Sequence, residues 1–272
     1  MAKSTKLAGI YPVKTLRERC TALEAAIALV LVKPRQKPVH QLRIGTRKVE
    51  AQLELLSQLA LSEPALRAVR ESSKRVRKLL AEVRKAAGKV RDLDVQRELI
   101  RGAAEEDVKK RIRKDAKELR RSLKVERAEA ADRLLAELRG HAWKLGPKLE
   151  KMLESMERAV ALRVPPSLVT KLVRQWYVAR TAGEDDSQAK LHDVRKAAKL
   201  ARYMVECGVD TALAGEYENV QNIGGGWHDA LKLSRTAYDN LGKHAELVQI
   251  FAAQQEAMLL EFRMTLGLGR QG

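Results

Sequence analysis

Proline is missing from two long stretches of this 272-residue chain, between Pro64 and Pro147 and everywhere after Pro166. Those stretches are rich in Ala, Leu, Lys, Arg and Glu, which favours helix over sheet, and no segment sustains the two-residue alternation of a strand. Aromatic residues are as scarce, two Phe, three Trp and five Tyr, too few for the stacking surface that single-strand nucleic-acid binding needs. The two cysteines, Cys20 and Cys207, form neither a disulfide framework nor a CxxC metal knuckle, which fits a reducing compartment. Long apolar runs are absent too. The longest near the N-terminus, Ala25 to Val32, is far short of the roughly 20 residues that span a bilayer, and Met1 to Val13 lacks the charged-then-apolar pattern of a signal peptide. The expectation is a soluble, cytoplasmic protein with no membrane insertion. Acid is also in deficit: 35 Asp and Glu face 53 Lys and Arg, a formal charge of +18 with a pI near 10.0. That excess suggests a polyanionic partner, while 45% hydrophobic residues suffice for a real core.

Helical spacing organises what is there. Leu16, Cys20, Leu23, Ile27 and Val30 mark a first helix, and Pro34 and Pro38 bracket a basic connector. Leu42, Val49, Leu53 and Leu56 mark a second, up to about residue 60. A third begins at Pro64, with Val76, Leu79, Leu80 and Val83 as its stripe, and is expected to break at Gly88, after which Asp92 caps a further helix to about Arg101. Glu105 to Arg139 reads as a long, exposed, charged helix. Val164-Pro165-Pro166-Ser167 separates two halves, since paired prolines stop one helix and Ser167 can cap the next. Helices are then expected at Leu168–Thr181, Ser187–Cys207, Thr211–Ile223, Asp229–Leu241 and Ala245–Leu266. Residues 1–12 form a tail, 13–163 a first bundle and 167–268 a second.

The halves align with one another. Gln36-Lys-Pro-Val-His40-Gln-Leu-Arg43-Ile-Gly-Thr-Arg47 lies over Gln188-Ala-Lys-Leu-His192-Asp-Val-Arg195-Lys-Ala-Ala-Lys199 at an offset of 152. Glu54 then pairs with Glu206, and the apolar Leu42 and Leu53 pair with Val194 and Val205. At about 100° per residue, positions 40, 43 and 47 fall within roughly 60° of arc, opposite Leu42, Val49 and Leu53. Each half therefore carries a stripe of His, Arg and a further base. A second correspondence, Gly88-Lys-Val-Arg91-Asp92 with Gly225-Gly-Trp-His228-Asp229, has an offset of 137, as duplication followed by a deletion would leave it. The helix entering Gly88 bears Lys74 and then Arg77, Arg84 and Arg91 at seven-residue steps. Like charges so spaced repel by a few tenths of a kcal/mol per pair, and a bound anion would compensate them.

These motifs resemble the CHAD family, the α-helical domain named for its histidines. The matching residues are His40-Gln-Leu-Arg43-Ile-Gly-Thr-Arg47-Lys48, Gly88-Lys-Val-Arg91-Asp92-Leu-Asp94, the set His192, Arg195, Lys199 and Arg202-Tyr203, and Trp227-His228-Asp229. The resemblance spans Val13 to Leu266. It implies an all-α fold of two pseudo-twofold-related four-helix bundles, with basic stripes facing a shared groove that binds long-chain inorganic polyphosphate, no cofactor and no catalytic activity. The implied contacts are His40, Arg43, Arg47, Lys48, Arg77, Arg84, Arg91, His192, Arg195, Lys199, Arg202 and His228. It also implies association with polyphosphate granules. The chain departs from the pattern at Glu50 and Leu200, where the family has bases, and in Gly224-Gly225-Gly226 ahead of His228.

Blander readings stand beside these. Lys109 to Arg127 reads as a solvated face, because Glu118 and Glu126 are interspersed with its cations. Asp92 and Asp229 read as helix caps or as anchors for neighbouring bases. No histidine sits in an HxxxH or HExxH pair, and the cations around His40, His192 and His228 would repel a metal. His141 and His244 read as surface residues, Cys20 and Cys207 as packing residues, and Trp143, Trp176 and Trp227 as core anchors. The alternative function is a basic helical protein that binds nucleic acid, for which +18 is equally suitable, though no helix-turn-helix stands out. An enzyme of phosphate metabolism would want a carboxylate cluster for Mg²⁺ or a GxxxxGK[ST] loop, and neither is present. With histidines near their ordinary pKa of about 6.5, polyanion binding is expected to tighten as pH falls from 8 towards 6.

Overall fold

The computed structural model describes residues 9–60, 62–105, 109–161, 163–183, 185–207 and 210–268, leaving out the side chains of 105 and 142–144 and with them the indole of Trp143. Among the described residues eight helices follow one another: α1 (Pro12–Val32), α2 (Gln36–Leu59), α3 (Glu63–Glu105), α4 (Lys110–Ala159), α5 (Pro166–Thr181), α6 (Gln188–Val205), α7 (Thr211–Leu241) and α8 (Glu246–Thr265). Among the described residues there is no strand. One antiparallel bridge joins Ile10 to Val164, with N–H to C=O distances of 2.9 Å both ways. It ties the end of the N-terminal segment, where Ile10 is buried, to the linker between the halves. No helix among the described residues is long and apolar enough to cross a membrane.

Helices α1 to α4 close on one another in sequence order, α1 packing on α4 as well as on α2, and α5 to α8 form a second such run. The two sets meet mainly through α2 against α6, with lighter contacts of α3 and α4 on α7, of α4 on α8 and of α2 on α5. One continuous apolar core extends from Val13 and Leu16 of α1 to Leu247 and Phe251 of α8, crossing the boundary between halves. A small separate cluster of Leu191, Val194, Trp227 and Phe262 lies beneath α6, α7 and α8. Trp176 and Trp227 are buried as expected of anchors.

Two expected breaks are not breaks, and a proline falls inside a helix. Helix α3 runs through Gly88, α7 through Gly224, Gly225 and Gly226, and α4 through Pro147. Glycine costs an interior helix about 1 kcal/mol relative to Ala, and proline about 3 kcal/mol, but packing outweighs both. Leu145, Leu149, Met152, Leu153 and Met156 are buried on either side of Pro147 and hold α4 against its neighbours. At Gly224 a Cβ would stand 2.6 Å from the Phe262 ring, so the missing side chain lets α7 approach α8. Asp92 and Asp229 are consequently mid-helix residues and cap nothing. The caps that exist are Ser187, whose hydroxyl accepts from the Lys190 N–H, and Asp210, whose carboxylate accepts from the Leu213 N–H. Ser167 is not a cap either, because α5 starts one residue earlier, with Pro166 in its first turn.

Candidate functional site

Where α2 faces α6 there is a groove of about 550 Å³. Helix α2 presents His40, Arg43, Ile44, Arg47 and Lys48, and α6 presents Arg195, Lys199, Arg202 and Tyr203. Arg91, Asp92 and Val95 of α3 and Gln221, Asn222, Gly225, Gly226 and Asp229 of α7 complete the lining, with Glu206 just beyond α6. The placement follows from helical phase. Leu42, Val49 and Leu53 are fully buried on the core side of α2, as are Leu191, Ala198 and Ala201 on α6, which turns the basic stripe of each helix towards the other bundle.

The cations at the centre of this groove sit in an uncomfortable field. Burial, followed by repulsion from Arg195, Arg43 and Arg47, lowers the Lys199 ammonium to a pKa of about 8. Burial also brings Arg195 down to about 10, although Asp229 opposes the shift, and it lowers Arg43, with Asp92 opposing. Arg43, Arg91, Arg195 and Lys199 have no carboxylate within ion-pair distance among the described residues. At the rim the cations are partnered internally. One oxygen of Glu50 accepts from Arg84 at 2.8 Å and Arg47 at 3.1 Å. Glu206 holds Lys48 at 2.9 Å and Arg202 at 3.4 Å. Glu54, its counterpart in the other half, accepts from the Trp176 indole at 2.9 Å and lies 3.6 Å from both Arg77 and Arg180.

Eight of the twelve expected contact residues thus line the groove, namely His40, Arg43, Arg47, Lys48, Arg91, Arg195, Lys199 and Arg202. Arg77 and Arg84 do not, and are drawn instead to Glu54 and Glu50. His192 and His228 are not on the wall either. Their rings stack, centroids 5.0 Å apart and planes 25° from parallel, beside Arg195, whose Nη2 lies 3.3 Å from His192 Nδ1. An arginine N–H can donate to that nitrogen only while it is unprotonated. Burial and then Arg195 bring His192 down to about 4, and burial lowers His228 against the pull of Asp229 at 3.4 Å. His40 is lowered too, by burial and then Arg91. Burial and neighbouring cations thus favour the neutral form of all three imidazoles, and Lys199 adds a group that titrates above neutrality.

Several residues here carry no signal in the one-dimensional pattern. Arg19 of α1 is half-buried and donates to the carbonyl oxygens of Lys48 at 2.9 Å and Tyr203 at 2.7 Å, joining the two walls from beneath. Lys232 of α7 pairs with Asp92 of α3. Gln221 and Asn222 reach the groove because α7 continues through the glycines that follow them. Gly88 has a role specific to Arg43: a Cβ there would stand 2.6 Å from Arg43 Nη1, so the bare α-carbon makes room for the guanidinium. Against the outer side of Arg47 lies a second cavity of about 380 Å³, lined by Glu50, Trp176, Arg180, Asp193, Lys196, Ala197 and Leu200. Both positions where the sequence departs from its repeat of bases, Glu50 and Leu200, fall on this cavity rather than on the central groove.

The arrangement defines a class: an all-helical protein of two bundles with a concave, cation-lined groove between them. Its family follows from comparison, for the CHAD domain profile matches residues 14–248, and the chain belongs to that family. The fold is similar to the crystal structure of the CHAD domain from the plant Ricinus communis, with a TM-score of 0.69 at 18% identity over 98% of this chain and 95% of that one. It is also similar to PptA from Streptomyces chartreusis, with a TM-score of 0.66 at 16% identity over 97% of this chain and 100% of the other. Comparison with curated proteins gives no match.

Proposed function

We propose that this protein binds long-chain inorganic polyphosphate in the groove between its bundles and does no chemistry on it. The observation that carries this reading is the convergence of Arg43, Arg195 and Lys199, from two bundles, with their charged forms disfavoured by burial and mutual repulsion. A polymer with about one charge per phosphate relieves that repulsion along the whole groove, and arginine supplies multidentate contacts to it. Membership of the CHAD family points the same way. Nucleic acid suits this particular groove less well. Its one aromatic lining residue, Tyr203, is buried, with Lys48 and Arg202 each 5.6 Å from its ring, and offers no face to a base.

A non-catalytic role is supported by the state of the acids. Asp92 is engaged by Lys232, and Asp229 lies against His228. Among the described residues, the one trio with metal-ligand spacing, Glu82, Glu137 and His141, shares no residue with the groove. An anchor without turnover suits a cytoplasmic protein held at polyphosphate granules, and imaging a tagged copy in polyphosphate-rich cells tests that role. Calorimetric titration with polyphosphates of defined length tests the binding itself. Long chains should bind far more tightly than triphosphate and be recovered at their original length. Equal affinity for triphosphate, or shortened chains, would overturn the reading.

A further inference from the structure

Away from the groove, the N-terminal part of α4 carries a second array of positive charge. Lys110, Lys114, Lys117, Arg121 and Lys124 follow one another at steps of 4, 3, 4 and 3 residues, and all five are exposed. At 100° per residue they fall within about 80° of arc, and they extend over about 21 Å of helix axis. The opposite side of the same turns, Ile112, Ala116, Leu119 and Leu123, is buried in the core, so the stripe points straight into solvent. Three of the five border an open hollow with Glu118, Ser122 and Val125 that has no residue in common with the groove.

The partnering of these cations distinguishes them from those of the groove rim. Glu50, Glu54 and Glu206 hold the rim bases, whereas none of the five on α4 pairs with a described residue. The nearby acids are Glu118, exposed at the flank of the stripe, and Asp115, half-buried. Successive cations at i, i+3 and i, i+4 repel one another, and an external anion relieves that. We propose that this face of α4 is a second polyanion site, separate from the groove, and that its partner is the phosphate backbone of a nucleic-acid duplex. A straight, rigid row fits a rigid, regularly charged partner: double-stranded DNA carries about one phosphate charge per 1.7 Å of its axis, a density that five cations along one side of a helix can meet only in part and at fixed spacing. A membrane surface fits less well. Helices that lie in the interface contribute an apolar face, and that of α4 is already buried, leaving Val125 as the exposed apolar residue beside the stripe.

The test compares two variants of the full chain, Lys114→Gln/Lys117→Gln/Arg121→Gln on α4 and Arg43→Gln/Arg195→Gln in the groove. Their helicity is verified by circular dichroism, since all three α4 substitutions are at solvent-facing positions. Binding of a random-sequence 30-base-pair DNA duplex is followed by fluorescence anisotropy across a salt series. The α4 variant should weaken duplex binding about 100-fold at 0.1 M salt and flatten the slope of log K against log salt by about 2.7, three contacts at roughly 0.9 each. It should leave polyphosphate binding unchanged, while the groove variant does the reverse. Duplex binding that depends on the groove residues, or that is undetectable in the wild type, would overturn the α4 site. So would binding to phosphatidylserine vesicles that requires the three α4 cations in the absence of duplex binding. The groove's function is judged on the polyphosphate arm alone, so either reading can fail without the other.

Discussion

Replacing Gly88 with alanine should separate stability from binding. Gly88 is buried in the middle of α3, and a Cβ there would stand 2.6 Å from Arg43 Nη1, with the guanidinium carbon at 3.9 Å as the next neighbour. The atom in the way is the far end of a flexible side chain, so the fold accommodates the methyl group by moving the guanidinium about 0.8 Å or more, to an ordinary contact distance. Removing glycine from a helix interior meanwhile contributes about 1 kcal/mol through propensity, which for a chain of this size raises Tm by about 2–4 °C. The affected cation is one of those at the centre of the groove without an internal carboxylate. A charge-assisted contact is worth about 1.5–3 kcal/mol, so complete loss of Arg43 costs roughly 10- to 150-fold in affinity, and its displacement a fraction of that, about 3- to 10-fold. The assay pairs a thermal melt with calorimetric titration of long-chain polyphosphate, with Arg43→Gln as the ceiling. A variant that melts higher and binds more weakly is the expected outcome. If Gly88→Ala bound like the wild type while Arg43→Gln lost affinity, or if it melted lower, the role given to this glycine would be refuted.

The pH response should come from Lys199. With a free pKa of about 8 and an adjacent polyanion restoring it towards 10.5, the complex keeps a proton that the free protein loses. Affinity should therefore tighten as pH falls from 10.5 to 8, by at most about 300-fold, level off near neutrality, and tighten again below 6.5 as His192, at about 4 when free, gains charge in the complex. Lys199→Gln should abolish the alkaline limb, and an unchanged limb would remove Lys199 from the site. Glu50→Gln and Glu206→Gln should each strengthen polyphosphate binding several-fold in titrations, by freeing Arg47 and Arg84 or Lys48 and Arg202. Weaker binding would instead make these acids positioning residues for the bases they hold. Gly224→Ala, whose Cβ would meet the fixed Phe262 ring at 2.6 Å, should lower Tm, because overpacking of about 1–3 kcal/mol outweighs the gain in helix propensity. A higher Tm would mean that α8 yields freely there.

Much of this protein is written locally. Helical spacing of Leu42, Val49 and Leu53 against His40, Arg43 and Arg47 depends on nothing beyond the 100° step of a helix, so the apolar and basic faces of α2 and α6 were legible, as was the interruption between helices ahead of Pro166. The repeat of His-x-x-Arg motifs marked one basic helix in each half, and the resemblance to the CHAD family implied that the two face each other. Glycine misled because its helix propensity is a local quantity, whereas its use here is tertiary: Gly88 and Gly224 exist for Arg43 and Phe262, which lie 45 and 38 positions away in the chain. The same reason divides the basic residues. Arg84 and Arg91 are one heptad apart on a single face of α3, yet the first is claimed by Glu50 and the second opens onto the groove. Charge and its phase along a helix are properties of the sequence. Whether a cation is buried, paired or left without a carboxylate depends on what the other helices bring within 4 Å, and only the packed chain decides that.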